Sequence, residues 1–331
     1  MSLERALAVT DNSGKVIIIA GKAHVPHVAA DCAKLSAAEK KRVLVISEPA
    51  AKNTAPAIAC AAVYSLLSGQ KRNMLVLTSD HIIKPLEAFK DDAAAAAACA
   101  ETGKLVVFGI PPKHSETGYG YIETRKGPQA SSGAYTVAAF HEKPDLKTAK
   151  KYTASKYFFW NSGMFAFSAE FMAEQFRNLA PDVFLPFEKL KEPKATDFTV
   201  SNGVKILSKW TGLDKAYSKA KSISFDYAIA EKCSNTAMIR TNFDWIDIGN
   251  WEEYVKVCGN NNSQVYNASS KSCHVDSDIP VALAGVEDLI VVIRSGKNGA
   301  PATALITRKG HTQTVRDVVE QIKKAGKTEL L

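Results

Sequence analysis

The chain has 331 residues, 46% of them hydrophobic and 23% charged, with a formal net charge of +8 at pH 7. That length suits one large domain plus a small one, and the composition is that of an ordinary globular protein. No apolar run approaches the ~20 residues of a membrane span, and the excess positive charge forms no Lys/Arg run with interleaved aromatics, so anionic small ligands fit better than a membrane or a nucleic acid.

The start, MSLERALAV, lacks the pattern of a signal peptide. The six cysteines (Cys32, Cys60, Cys99, Cys233, Cys258, Cys273) are scattered without a C-x-x-C pair, which suits reduced thiols in the cytoplasm and speaks against zinc. Residues 15–21, KVIIIAG, form a short apolar run suited to a strand buried on both faces. His24 and His27 follow, but Pro26 between them argues against a helical metal pair, and they read as surface residues at a helix entry. A second apolar run, 42–46, leads into the polar turn E-P-A-A-K-N-T-A-P-A at 48–57, which opens an alanine-rich helical pattern. A strand ending in such a turn is where an open α/β sheet places a ligand. Glu48 can accept two parallel hydrogen bonds, matching the donors on N1 and N2 of guanine, with Asn53, Thr54 and the helix N-terminus beside it. An acidic strand end followed by an Asn-Thr cap accounts for the same residues more plainly.

Residues 73–78 repeat the pattern and end in Ser79-Asp80-His81, where Asp80 is either a carboxylate for Mg²⁺ and a polyphosphate or a helix cap. Asp91 and Asp92, the alanines after them and Gly103 predict a surface helix with acids in its first turn. A strand at 104–110 completes an alternation that predicts a parallel, doubly wound sheet. Then come three polar-tipped strands. Thr117-Gly118-Tyr119-Gly120-Tyr121 lets backbone approach a ligand; Glu142 and Lys143 in His141-Glu142-Lys143-Pro144-Asp145 offer an acceptor for hexose hydroxyls and a point charge for phosphate; and Trp160-Asn161-Ser162-Gly163 leads an apolar strand. A tight turn and a solvated loop are the plain alternatives for the first two. Residues 170–220 read as mainly helical, with breaks at Pro181, Pro186 and Pro193; Asp226 reads first as a helix cap and second as a sugar-side group. After a linker at Asn260-Asn261-Asn262-Ser263, short β-type runs at near-regular spacing predict a small parallel β-helix coil, closed by an amphipathic helix at 315–324.

These motifs, in this order, resemble the mannose-1-phosphate guanylyltransferase (GDP-mannose pyrophosphorylase) family: E-P-x-x-R-N-T-A-P-A, with Lys52 where arginine is usual, then L-P-x-D-H-x-I, T-G-Y-G-Y-I, F-x-E-K-P-D, W-N-S-G-M-F, S-I-D-Y-A-x-x-E-K and, at 243–251, W-x-D-x-G-x-W. The resemblance implies a Rossmann-like nucleotide-diphospho-sugar transferase domain over 1–260 and a small C-terminal left-handed β-helix module over 261–331. It implies Mg²⁺ held by Asp80 and Asp247, a nucleotide held by Glu48, Asn53, Thr54 and Asp80, and a sugar phosphate held by Gly120, Glu142, Lys143 and Asn161. The implied partners are GTP, mannose 1-phosphate, GDP-mannose and a second copy of the chain, in the cytoplasm. The family's glycine-rich L-x-G-G-x-G-[TS]-R-L loop and its P-K-Q lysine do not occur in these 331 residues, so no catalytic residue is identified. That absence puts turnover by this chain in question and leaves two alternatives: a silent GDP-sugar-binding protein, and a pyrophosphorylase for another hexose 1-phosphate.

Overall fold

Apolar runs become strands here because both of their faces find side chains to pack on, and in the run 43–46 all four residues are buried. The computed structural model describes residues 2–69, 72–128, 133–258, 264–296, 301–327 and 330. Contacts divide the chain into two units, Met1–Ser79 with Ile83–Trp245, and Asp80–Ile82 with Ile246–Leu331. The division falls between Trp245 and Ile246, ahead of the expected boundary at 260/261. Residues 251–258 belong with the second unit, where the Tyr254 hydroxyl donates to Asp276 and Glu252 Oε1 accepts from the Gly310 N–H at 2.7 Å. The linker at 260–263 lies outside the described residues.

Up to the division the elements are α1 (Ser2–Val9), β1 (Val16–Gly21), α2 (Val25–Cys32), α3 (Ala37–Arg42), β2 (Val43–Glu48), α4 (Thr54–Leu67), β3 (Asn73–Val76), β4 (His81–Lys84), α5 (Leu86–Ala100), β5 (Leu105–Ile110), β6 (Tyr121–Pro128), β7 (Tyr135–His141), α6 (Leu146–Thr153), β8 (Phe158–Ser168), α7 (Ala169–Leu179), α8 (Pro181–Glu188), β9 (Phe198–Ser201), β10 (Val204–Leu207), α9 (Leu213–Lys219), β11 (Thr236–Arg240) and β12 (Asp244–Asp247). As expected, His24 and His27 are exposed at the entry to α2. The expected parallel, doubly wound sheet is corrected to two mixed sheets, ordered β1-β2-β10-β9 and β3-β8-β5-β11-β7-β6. In these two sheets, among the described residues, β1/β2, β2/β10 and β5/β11 run parallel. The long strand β8 lies antiparallel to both β3 and β5, and β6 and β7 pair antiparallel.

Two local expectations also change. The helix containing Asp91 and Asp92 begins five residues earlier, at Leu86, so these acids sit in its interior. Asp92 is buried there, and its two carboxylate oxygens accept from the backbone N–H and side-chain amide of Asn242, both at 2.7 Å. The stretch expected to be helical around 200 is instead the β9–β10 hairpin, with Ser201 opposite Val204. Its two-residue turn is Asn202-Gly203, both at positive φ (50° and 82°), the backbone that a tight hairpin turn demands.

The main core joins α4, β8 and α7–α9. The alanine-rich α4 is apolar all round and buries nine of its fourteen residues, as a helix enclosed on every side must. Phe225 is fully buried among Phe165, Phe167 and Phe176, with ring centroids 4.6–6.0 Å away. It therefore anchors the loop that runs from α9 to the turn at 226–230.

The second unit continues with α10 (Trp251–Cys258), β13 (Val265–Ala268), β14 (His274–Ser277), β15 (Val281–Ala284), β16 (Leu289–Arg294), β17 (Thr303–Arg308) and α11 (Val315–Lys324). Its parallel pairings keep one step throughout: Val265 lies opposite Val281, Lys271 opposite Glu287 and His274 opposite Ile290, each sixteen residues on. Val275, Val281 and Val291 fill the space between the layers. Asp276, 3% exposed, is neutralised by Arg294 at 2.7 Å. Among the described residues no helix is long and apolar enough to cross a membrane, and Cys32, Cys60, Cys99, Cys233 and Cys273 are unpaired.

Removing the Phe225 anchor leaves a cavity in the aromatic cluster. Phe225→Ala is expected to destabilise the chain by about 3–5 kcal/mol in urea unfolding, and a loss below about 1 kcal/mol would show that the ring does not anchor this segment.

Candidate functional site

Three groups of predicted residues are built on three different strand ends. The first stands at the end of β2. Glu48 is half-buried, and burial raises its carboxyl above the usual range, opposed by a hydrogen bond from Tyr217. The Tyr217 hydroxyl donates to Glu48 Oε1 at 2.8 Å from α9. The turn that follows is tied to the chain after α9. Lys52 Nζ donates to the Ala220 carbonyl at 3.2 Å, the Ala55 N–H to the Ile223 carbonyl at 3.2 Å, and the Phe225 N–H to Thr54 Oγ1 at 2.8 Å. Asn53 sits at φ 70°, and its Oδ1 accepts from the Thr54 N–H at 2.8 Å. The helix start is therefore less open to a ligand than the sequence suggests. Two of its N–H groups are already bonded and Pro56 has none. Asn53 Nδ2 and the hydrogen of the Thr54 hydroxyl are not used by these bonds.

The second group gathers at the ends of β7 and β8. The Asn161 N–H donates to the Gly120 carbonyl at 2.8 Å. A Cβ on Gly120 would stand 2.5 Å from Glu142 Oε2, so only glycine lets this carboxylate come so close. Lys143, at φ 43°, holds its ammonium 3.4 Å from Glu142 Oε1. The Asn161 side chain is engaged at both ends: Oδ1 accepts from the Gly163 N–H at 3.1 Å and Nδ2 donates to Asp226 Oδ1 at 2.8 Å. Asp226, expected first as a helix cap, is the opening residue of the helical turn 226–230, whose cap position is Phe225. Its carboxylate turns to Asn161 instead, because the amide supplies a buried donor that a free helix end would not. Burial raises the Asp226 carboxyl. Burial and then the neighbouring Asp226 charge raise that of Glu142, and Glu231 is raised by burial and by both of them. Gly120, Glu142, Lys143 and Asn161 thus come together as expected from the sequence, joined by Asp226.

The third group lies in the second unit. Asp80 and His81, where β4 begins, and Asp247, ending β12, each place one ligand atom within 4.8 Å of the others. The Ile248 N–H donates to the Asp80 carbonyl at 3.0 Å and pins the two strand ends. His81 is buried, 5% exposed, whereas the Asp80 side chain is 55% exposed. The Asp247 carboxyl is pushed up to about 6, first by burial and then by the Asp80 charge. Mg²⁺ is the ion implied by the motifs. The two carboxylates fit it, since one is open to water and they leave positions for solvent and phosphate oxygens, whereas the His81 imidazole is a poor ligand for so hard an ion and stands beside the site.

Sequence reasoning missed three members of these groups. His81 could have been found from its place beside Asp80. Glu231 stands as the glutamate of the S-I-D-Y-A-x-x-E-K stretch, which was given no chemistry, and Tyr217 carries no local signal, since it meets its group only through tertiary packing.

A family model described as Nucleotidyl transferase matches residues 3–264. The chain is 36% identical over 321 residues to the xanthan biosynthesis protein XanB of Xanthomonas campestris pv. campestris, covering 93% of this chain and 64% of that protein. It is 35% identical over 299 residues to the mannose-1-phosphate guanylyltransferase of Escherichia coli K12, covering 86% and 59% respectively. The chain thus spans less than two thirds of the length of either relative. Among solved structures, a Thermus thermophilus protein described as a mannose-1-phosphate geranyltransferase superposes with a TM-score of 0.72 at 24% identity, over 94% of this chain and 99% of that one, which shows a shared fold. The chain belongs to the nucleotidyl transferase family and has the nucleotide-diphospho-sugar transferase α/β fold. Its curated relatives at about 35% identity include proteins named mannose-1-phosphate guanylyltransferase, in line with the resemblance of its motifs.

Two outcomes follow from these carboxylates. Asp247→Asn is expected to lower Mg²⁺ or Mn²⁺ affinity on the order of a hundredfold in calorimetric titration with the fold intact; unchanged affinity would remove Asp247 from the ion site. Glu142 and Asp226 hold protons more tightly in the folded than in the unfolded chain, so their contribution to stability falls as pH rises through the raised folded values. Glu142→Gln is therefore expected to raise the melting temperature at pH 8, by about 2–4 °C for a gain of about 1 kcal/mol, and to match the unmodified chain near pH 4. A lowered melting temperature at pH 8 would contradict the like-charge account.

Proposed function

We propose that this chain binds GTP and mannose 1-phosphate for the synthesis of GDP-mannose. In that reaction an oxygen of the sugar phosphate attacks the α-phosphorus of GTP in line, the bond from the α-phosphorus to the bridging oxygen breaks, and pyrophosphate leaves. No covalent intermediate is needed, so the protein contributes positioning and electrostatics. Glu48 accepts from N1–H and the N2 amino group of guanine, with Asn53 and Thr54 as further donors. Glu142 accepts from vicinal sugar hydroxyls, Lys143 offers its ammonium to the phosphate, Gly120 gives the backbone room, and Asn161 with Asp226 holds the edge of the sugar pocket. Asp80 and Asp247, with His81 beside them, would hold Mg²⁺, which neutralises phosphate charge when bound. The reading of the second unit is a left-handed β-helix, supported by its constant sixteen-residue step. The unpaired cysteines support a cytoplasmic setting.

The observation that carries this reading is that a single run, Tyr217 to Asp226, supplies partners both to Glu48 and to the Asn161 group. The base-reading and sugar-reading carboxylates are thereby built on one frame, as a transferase joining a nucleotide to a sugar phosphate requires. Calorimetric binding of GTP, ATP, CTP, UTP and GDP-mannose, paired with pyrophosphate release for each nucleotide with mannose 1-phosphate, tests it. Preference for GTP with release of pyrophosphate is the expected result. GDP-mannose binding without release would make the chain a holder of the product, and equal use of all four nucleotides would overturn the guanine assignment. Glu48→Gln is expected to weaken the preference of GTP over ATP by ~1–3 kcal/mol, because a donor then faces guanine's donors; an unchanged preference would remove Glu48 from base reading.

A further inference from the structure

We infer that Tyr217 is the positioning residue for base selection, aiming the Glu48 carboxylate through its hydroxyl; the inference rests on the reading of Glu48 given above. Tyr217 is fully buried on α9, its ring edge-on to Phe187 at 5.0 Å. A buried phenol has one hydrogen to give and an oxygen that accepts. The hydrogen goes to Glu48 Oε1 at 2.8 Å.

Cys60, on α4, is completely enclosed, and burial pushes its thiol up to about 12, so it keeps its proton and sets no thiolate charge beside the phenol. The phenol hydrogen goes to a strong acceptor, the Glu48 carboxylate, and the pair runs from the core to the open end of β2.

Three consequences follow for a base. The phenol's hydrogen bond fixes the carboxylate in one rotamer before any ligand arrives, which lowers the ordering cost of binding. It supports the ionised form, in which both oxygens accept, against the burial that favours protonation. It leaves Oε2 and the second lone pair of Oε1 for the ligand. A purine that presents two adjacent donors fits those acceptors, whereas adenine, which places a ring nitrogen acceptor at N1, does not. The effect of Tyr217 should therefore fall on discrimination between bases and not on nucleotide binding in general.

The test is calorimetric binding of GTP and of ATP, with Mg²⁺, to the full chain and to Tyr217→Phe, which removes one oxygen and keeps the ring. The expected result is a GTP-over-ATP preference lowered about tenfold, with ATP affinity and melting temperature nearly unchanged. In the Glu48→Gln background the same substitution should leave the ratio unmoved. A preserved ratio in Tyr217→Phe, or an equal loss for both nucleotides, overturns the inference while leaving the guanine reading of Glu48 standing. A wild-type chain with no guanine preference overturns both. If the Phe chain does not fold, replacement of Tyr217 by p-aminophenylalanine, which keeps a donor at the same place, decides: a retained preference supports the positioning role, and a lost one sinks it.

Discussion

The structure of the first unit depends on the ten residues from Tyr217 to Asp226. Along this run a phenol holds Glu48, the Ala220 carbonyl holds Lys52, the Ile223 carbonyl takes the Ala55 N–H, the Phe225 N–H bonds Thr54, and Asp226 takes the Asn161 amide. Each bond is modest alone, worth about 1 kcal/mol net. Together they fix the turn after β2 and the tip of β8 relative to one segment, and that segment is itself anchored by the buried Phe225 ring. Hydrophobic packing supplies the strength, and the polar bonds supply the geometry. A loop without Phe225 beneath it would pay the full ordering entropy of its residues for a handful of exposed hydrogen bonds.

The same region holds more carboxylates than its cations neutralise. Glu48 is met by a phenol, Asp226 by an amide, and Glu142 shares the Lys143 ammonium with a like-charged neighbour. Neutral donors orient a carboxylate without cancelling its charge, so its hydrogen-bonding capacity stays available for a ligand. Asp276 shows the contrast. There the second unit pairs a buried acid with Arg294 and Tyr254, its carboxyl is held below the usual range chiefly by the Arg294 hydrogen bonds, and nothing is left over. One arrangement keeps a fold together; the other keeps an acceptor ready at some cost in stability.

Much of this was legible in the sequence, and what was not has physical reasons. The strands at 16–21, 43–48 and 105–110 announce themselves as apolar runs, and the residues at their polar ends, Glu48 above all, could be picked out because a ligand-binding strand end breaks its hydrophobic pattern with chemistry. Gly120, Glu142 and Asn161 were named together because their short motifs, in this order, resemble those of one family. Strand direction was not legible: β8 has the same apolar texture whether it runs parallel or antiparallel to β5, and only the pairing decides. The β9–β10 hairpin carries its mark in Asn202-Gly203, a turn signal that the helical reading of 170–220 did not take up. Tyr217 could not have been singled out, because a tyrosine among the polar residues of a short helix looks like any half-buried ring until the contact 169 positions back along the chain is known.

The sixteen-residue step in the second unit constrains how this part of the chain can vary in length. The two parallel layers are registered on each other at three separate places, so adding or deleting a single position within one of their strands would turn the side chains that follow in it to the opposite face and push polar groups into the valine-lined interior. Lengthening is compatible with the stack in whole layers, or as a bulge at a corner such as Ser269 or Asp288, where the backbone already adopts positive φ. Related chains should therefore differ here by complete turns or by corner loops, and the terminal layer, next to β17, is where growth can be added without rewriting what lies beneath it.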